Sequence, residues 1–272
     1  MRKIIVFLTI LFSCSCMHVQ GQEKSIFSVY YTLQENGHDT INWYRYMLDI
    51  GETTSYYHDL YEYENRMLDD SICRSKGITP NPNSYSAHML LSPERKRFHP
   101  HYSRFHVLKN LNSGSITVAD EVRFQGSQKF FYQESTPEYG WEMLDGDTII
   151  GGYACQKARM NYRGHKWTAW YAPEIAVSDG PWKLCGLPGL ILEAMDAEGD
   201  FRFVFDALEN HTNRDVAFSS KGWKKTTAEK LYKMYLQKQK SEMAGLARAV
   251  DGMPTGGKMN VPPYHYLERF EK

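Results

Sequence analysis

Thr168–Asp196, TAWYAPEIAVSDGPWKLCGLPGLILEAMD, places two turn signals and two apolar runs in one block, and the reading of that block decides the fold. In Leu187-Pro188-Gly189-Leu190, proline holds the second and glycine the third turn position. That order predicts a type II turn, because proline presets φ and glycine accepts φ > 0. Asp179-Gly180-Pro181 supplies a second turn. Between them Trp182, Leu184 and Leu187 form a short apolar stretch, and Leu190–Leu192 begins a buried strand. The block reads as a rigid, aromatic-rich corner feeding a β-sheet.

Strand patterns extend from it in both directions. Cys155–Tyr162 and Lys166–Tyr171 flank Arg163-Gly164-His165, a short hairpin signal. Downstream, Phe201, Phe203 and Phe205 alternate with Arg202, Val204 and Asp206, a strand that buries its aromatic side. Upstream, Asp145-Gly146 predicts a turn into Thr148–Ala154, and further strands run from Phe105 to Phe131 with turns at Asn112–Gly114 and Gly126. Ile26–Leu33 and Ile41–Leu48 face each other across an Asn36-Gly37 turn. Helical spacing is confined to two places. One is a weak pattern over Asp59–Asp69. The other is an amphipathic helix opened by a Thr226-x-x-Glu229 capping box and stopped by Gly252 and Pro254, with Leu231, Tyr235, Met243, Leu246 and Val250 on its apolar side. The expected fold is mainly β (α+β): a curved antiparallel sheet or half-barrel with a long C-terminal helix packed on it.

Residues 1–21 have the parts of a secretory signal: Arg2 and Lys3, the apolar run Ile4–Phe12, then small and polar residues up to Gly21. The run is too short to span a bilayer as a helix. Export is expected, with residues 22–272 forming one β-rich domain in the periplasm or cell envelope; Leu11-Phe12-Ser13-Cys14 leaves lipid anchoring through Cys14 as the alternative. Acids and bases balance at 32 each over the whole chain, and loss of Arg2 and Lys3 leaves a slight acidic excess, so no nucleic-acid partner is indicated. Oligomeric state is not legible.

No phosphate-binding loop, nucleophile elbow, zinc-protease helix or dinucleotide fingerprint occurs, and no Cys-x-x-Cys pair suggests a redox or zinc motif. No cofactor is implied. What the sequence does resemble is the GLPGLI family of exported proteins from Gram-negative envelopes, through Gly186-Leu187-Pro188-Gly189-Leu190-Ile191. The resemblance extends to Gly152-Tyr153-x-Cys155-x-Lys157-Ala158, Arg163-Gly164, Ala169-Trp170-Tyr171-x-Pro173-Glu174-Ile175 and Gly180-Pro181-Trp182-Lys183, with Ile50-Gly51, Ser55 and Tyr57 upstream. Ala176 departs from the usual proline after Glu174-Ile175. The family has no established activity, so the resemblance implies an envelope location and a β-rich fold.

Three functional readings follow. The corner and hairpin also resemble the half-barrels of periplasmic lipoprotein carriers, an analogy of fold alone. By it, Trp167, Trp170, Tyr171, Trp182, Leu187 and Pro188 would line a concave face that binds an apolar small molecule or an outer-membrane protein partner without catalysis; the competing reading makes these aromatics core. Second, His99-Pro100-His101 with His106 could hold copper or zinc, although Arg95, Lys96, Arg97 and Arg104 surround it. Third, Cys185 or Cys155 with His165, oriented by Glu174 or Asp179, could form a nucleophile and base. Cys155 and Cys185 could instead pair as a disulfide in an oxidising compartment.

Overall fold

The computed structural model describes residues 23–36, 41–81, 85–97, 105–123, 127–251 and 266–270. The signal-like segment with Cys14, the tip of the Asn36-Gly37 turn, His99, His101 and the Pro/Gly tail at 252–263 lie outside them. The chain runs β1 (Phe27–Asn36), β2 (Ile41–Ile50), β3 (Thr54–Asp59), α1 (Leu60–Ser75), α2 (Ala87–Leu91), β4 (His106–Asn110), β5 (Ser115–Arg123), β6 (Ser127–Ser135), β7 (Glu142–Ile150), β8 (Tyr153–Tyr162), β9 (His165–Ala172), β10 (Leu190–Asp196), β11 (Phe201–Asn210), β12 (Lys224–Lys225) and α3 (Ala228–Asp251).

The strands form one open sheet in the order β12-β6-β5-β4-β3-β2-β1-β11-β10-β9-β8-β7. Two antiparallel meanders, β1 to β6 and β7 to β11, are joined where β11 returns beside β1. Among the described residues, only β12 is parallel to its neighbour, β6. The expected β1–β2 hairpin is present over ten pairs, from Phe27↔Ile50 to Asn36↔Ile41. Arg163 and Gly164 form the two-residue β8–β9 turn with φ of 52° and 78°, the conformation that a right-twisted hairpin demands.

Three local expectations are corrected. Asp145-Gly146 is not a turn: Leu144 pairs with Lys157 and Asp147 with Gln156, so both residues bulge from a continuous β7, and the chain reverses at Gly151-Gly152. The weak helical pattern becomes α1, which outruns its expected end at Asp69. In α3 the capping hydroxyl belongs to Thr227, which accepts from Lys230 N at 3.3 Å, one residue beyond the expected Thr226. Contact of α3 with the sheet is made by its first turns, through Leu231 and a Tyr235 hydroxyl bonded to Asp120 of β5, while Tyr232 packs on Tyr266 and Phe270.

Strands far apart in sheet order touch. Tyr162, at the end of β8, donates to Glu134 of β6 at 3.5 Å, and Arg163 meets the same carboxylate at 2.5 Å. An open sheet whose flanks meet in this way is strongly curled. Its inner face carries the core, where Tyr46 stacks on Tyr57 and Phe105 with centroids 4.8 and 5.1 Å apart. The segment between β9 and β10 enters this core: Trp182 lies 5.9 Å from Trp167, and Leu184 and Leu187 are buried. On the outer face α1 follows directly from β3, and Asp49 gathers His58, Ser28 and Arg214 there. No helix among the described residues is long and apolar enough to cross a membrane, which says nothing of a membrane barrel.

Candidate functional site

The six residues expected to line an apolar concave face are divided. Trp167, Tyr171, Trp182 and Leu187 are no more than 2% exposed and belong to the core. Trp170 points to the opposite side of β9 beneath Lys157, and Pro188 is exposed. The concavity is filled by the chain itself, because residues 179–187 are the plug that the curled sheet closes upon. Three of the aromatics, with Leu187, are therefore core, and among the described residues the plug occupies the space in which they were expected to line a ligand cleft.

The histidine and cysteine candidates are likewise committed elsewhere. His106 is bonded through Nδ1 to Tyr56 at 2.8 Å and through Nε2 to Glu62 at 3.3 Å, with Phe218 and Trp223 against its ring. Cys155 and Cys185 are free and buried, not bridged. Cys155 Sγ lies against the Tyr153 carbonyl at 3.4 Å and Cys185 Sγ against the Tyr139 hydroxyl at 3.5 Å. Burial pushes both thiols up, away from the thiolate that a nucleophile requires.

A buried charge cluster was not foreseen. Lys183, fully buried within the plug, contacts Glu134 Oε1 at 2.5 Å, Glu268, and the Tyr132 hydroxyl at 3.3 Å. Burial alone would lower its pKa, but the carboxylates of Glu268 and Glu134 more than reverse this and hold the ammonium above the usual lysine range. A second buried lysine, Lys109 of β4, pairs with Asp179 and donates to the Gly180 carbonyl at 2.7 Å. The signal available in the sequence was a lysine set inside the apolar run Trp182–Leu184, a position charge avoids unless it is paired.

At the Arg163-Gly164 turn the surface sinks into an open depression of about 410 Å³, lined among others by Tyr162, Arg163, His165 and Glu198. Beneath it, out of contact with solvent, His165 Nδ1 lies 3.0 Å from Asp196 Oδ2, and 4.0 Å from Oε2 of the exposed Glu198. His165 Nε2 meets the Tyr266 carbonyl at 2.8 Å. The sheet register makes this group: Asp196 ends β10 opposite Trp167, two residues along from His165 on β9.

At the far flank β7 is an edge strand exposed along most of its length. Ile149 and Met143 are 75% and 56% exposed. The Ala154 N–H donates to Glu174 Oε1 at 3.2 Å, on the side away from β7. Ala154 faces Ile149 across the ladder, so theirs is a non-hydrogen-bonded pair, and the Ile149 N–H and C=O point outward from the sheet.

Residues 162–193 match a family model described as a protein of unknown function (Porph_ging), which corresponds to the GLPGLI family. The chain carries the GLPGLI-family signature. The matched stretch contains β9 and the whole plug, including Trp182, Lys183 and Leu187, so the family signature coincides with the segment that fills the curled sheet. No curated protein matches the sequence. Two solved structures of PNGF-II, in different space groups, are similar at 12% identity with TM-scores of 0.47 and 0.46. The likeness covers 78% and 76% of this chain, which spans about a third of theirs, 33% and 32%.

Proposed function

We propose that this GLPGLI-family protein is an exported, non-catalytic binding protein of the cell envelope that takes up an extended segment of another protein as an additional strand beside β7. The observation that carries the reading is the outward-facing backbone of Ile149 on an edge strand with both faces open to solvent. Unpaired edge groups template a further strand, with main-chain bonds giving affinity and alternate side chains giving selection. The filled interior turns the reading away from cargo carriage and toward the surface.

Charge selects the partner. Asp145 and Asp147 are exposed along β7, beyond a Glu142 already paired with Arg159, so two copies of the edge would oppose acid to acid, whereas a basic, partly apolar segment would satisfy both aspartates and Ile149. The bulge at Asp145-Gly146 leaves Asp147–Ile150 as the regular stretch available for pairing. The signal-like residues 1–21 support placing this activity in the periplasm or at an envelope surface, where an outer-membrane protein could present such a segment.

The test uses a short extended peptide of alternating lysine and valine, with a glutamate–valine peptide as control. The lysine peptide is expected to bind and to slow amide exchange at Asp147 and Ile149. Ile149→Pro removes an outward donor and no internal ladder bond, so it should keep the fold and lose the binding. Equal binding by the proline variant, or no binding by wild type, rejects strand addition.

A further inference from the structure

We propose that His165, Asp196 and Glu198 form a binding site for a divalent borderline cation, zinc by their donor chemistry. The inference is independent of strand addition at β7. One ligand atom from each residue lies within 4.8 Å of the others, and His165 and Asp196 are buried while Glu198 is half exposed. A nitrogen and an oxygen bound to one tetrahedral zinc at about 2.0–2.2 Å stand about 3.4 Å apart, so His165 Nδ1 and Asp196 Oδ2, now 3.0 Å apart, would spread by a few tenths of an ångström to admit it. Glu198 Oε2, at 4.0 Å, closes the remaining gap by a small movement of an exposed side chain.

The partner of the other ring nitrogen points the same way. The Tyr266 carbonyl can only accept, so His165 Nε2 carries a hydrogen. With Nε2 taken up by that bond, Nδ1 is the ring nitrogen that faces the two carboxylates, and a positive charge between them completes the group. A proton on Nδ1 supplies one such charge and a metal ion another. An imidazole whose second nitrogen donates to a backbone carbonyl is the usual outer support of a ligating histidine. Asp196 is supported similarly, its Oδ1 accepting from Phe201 N at 2.8 Å. Two carboxylates and a neutral imidazole balance a divalent ion, and the two nearby arginines are already engaged, Arg163 with Glu134 and Arg269 with Asp200. Glu198, the half-exposed member of the group, lines the depression at the Arg163-Gly164 turn, so the approach from solvent is on its side.

Zinc titrated into the purified protein is expected to bind at about one equivalent with His165 as ligand. Glu198→Gln, a change at a half-exposed position, should retain the fold and weaken binding by about tenfold or more. Because His99 and His101 could also take zinc, the deciding readout is the nitrogen resonance of His165 Nδ1, which should shift on metal addition in wild type. An unshifted resonance, or a Glu198→Gln affinity equal to wild type, would show that the pair holds a proton instead and would overturn the site.

Discussion

Gly189 sits in the signature block with φ of 157°, and its N–H bonds the Leu187 carbonyl at 2.8 Å while Leu190 N bonds Ile175 O at 3.1 Å. The type II turn read from Pro188-Gly189 would have bonded Leu190 back to Leu187, so the chain turns more tightly, over Pro188 alone. Glycine is still required, for a different reason: a Cβ there would stand 2.7 Å from the Ala172 carbonyl carbon and 2.8 Å from Pro173 Cα. Gly189→Ala should therefore destabilise the protein by about 1–3 kcal/mol, read as a lower urea midpoint. An unchanged midpoint would mean that the Ala172–Pro173 backbone yields at no cost. The need for glycine was legible in the sequence; the neighbour that imposes it was not, because Ala172 arrives from the end of β9.

Elements were most legible where local chemistry and sheet pairing agree. Asp59 caps α1 by accepting from Glu62 N at 2.7 Å, and Asp59→Ala should cost about 1 kcal/mol, measured as a fall in melting temperature with the helix retained. The β8–β9 hairpin followed directly from Arg163-Gly164. Asp145-Gly146 misled because a turn dipeptide also suits a bulge, and the pairing of β7 with β8 on both sides of it decided between the two. The apolar pattern of α3 predicted its presence, while which turns meet the sheet was set by Asp120 and the adjoining strands.

At the scale of the molecule, Lys183 ties the plug to β6 and to the segment around Glu268, and so links regions 49 and 85 residues apart in sequence. Lys183→Met would leave Glu268 and part of Glu134 without their buried partner, and the domain should lose about 3–5 kcal/mol in denaturant unfolding. A loss below about 1 kcal/mol would show the cluster to be incidental to closure. By itself the sequence determined the β class, most strands and hairpins, and the family signature, because alternation, turn residues and short motifs act over a few residues. Only the tertiary structure decided that the signature fills the curled sheet, that Trp167 and Trp182 are core rather than lining, and that His165 meets Asp196 and Glu198. Those facts depend on strand order and curvature, which bring residues tens of positions apart into contact and leave no local periodicity to read.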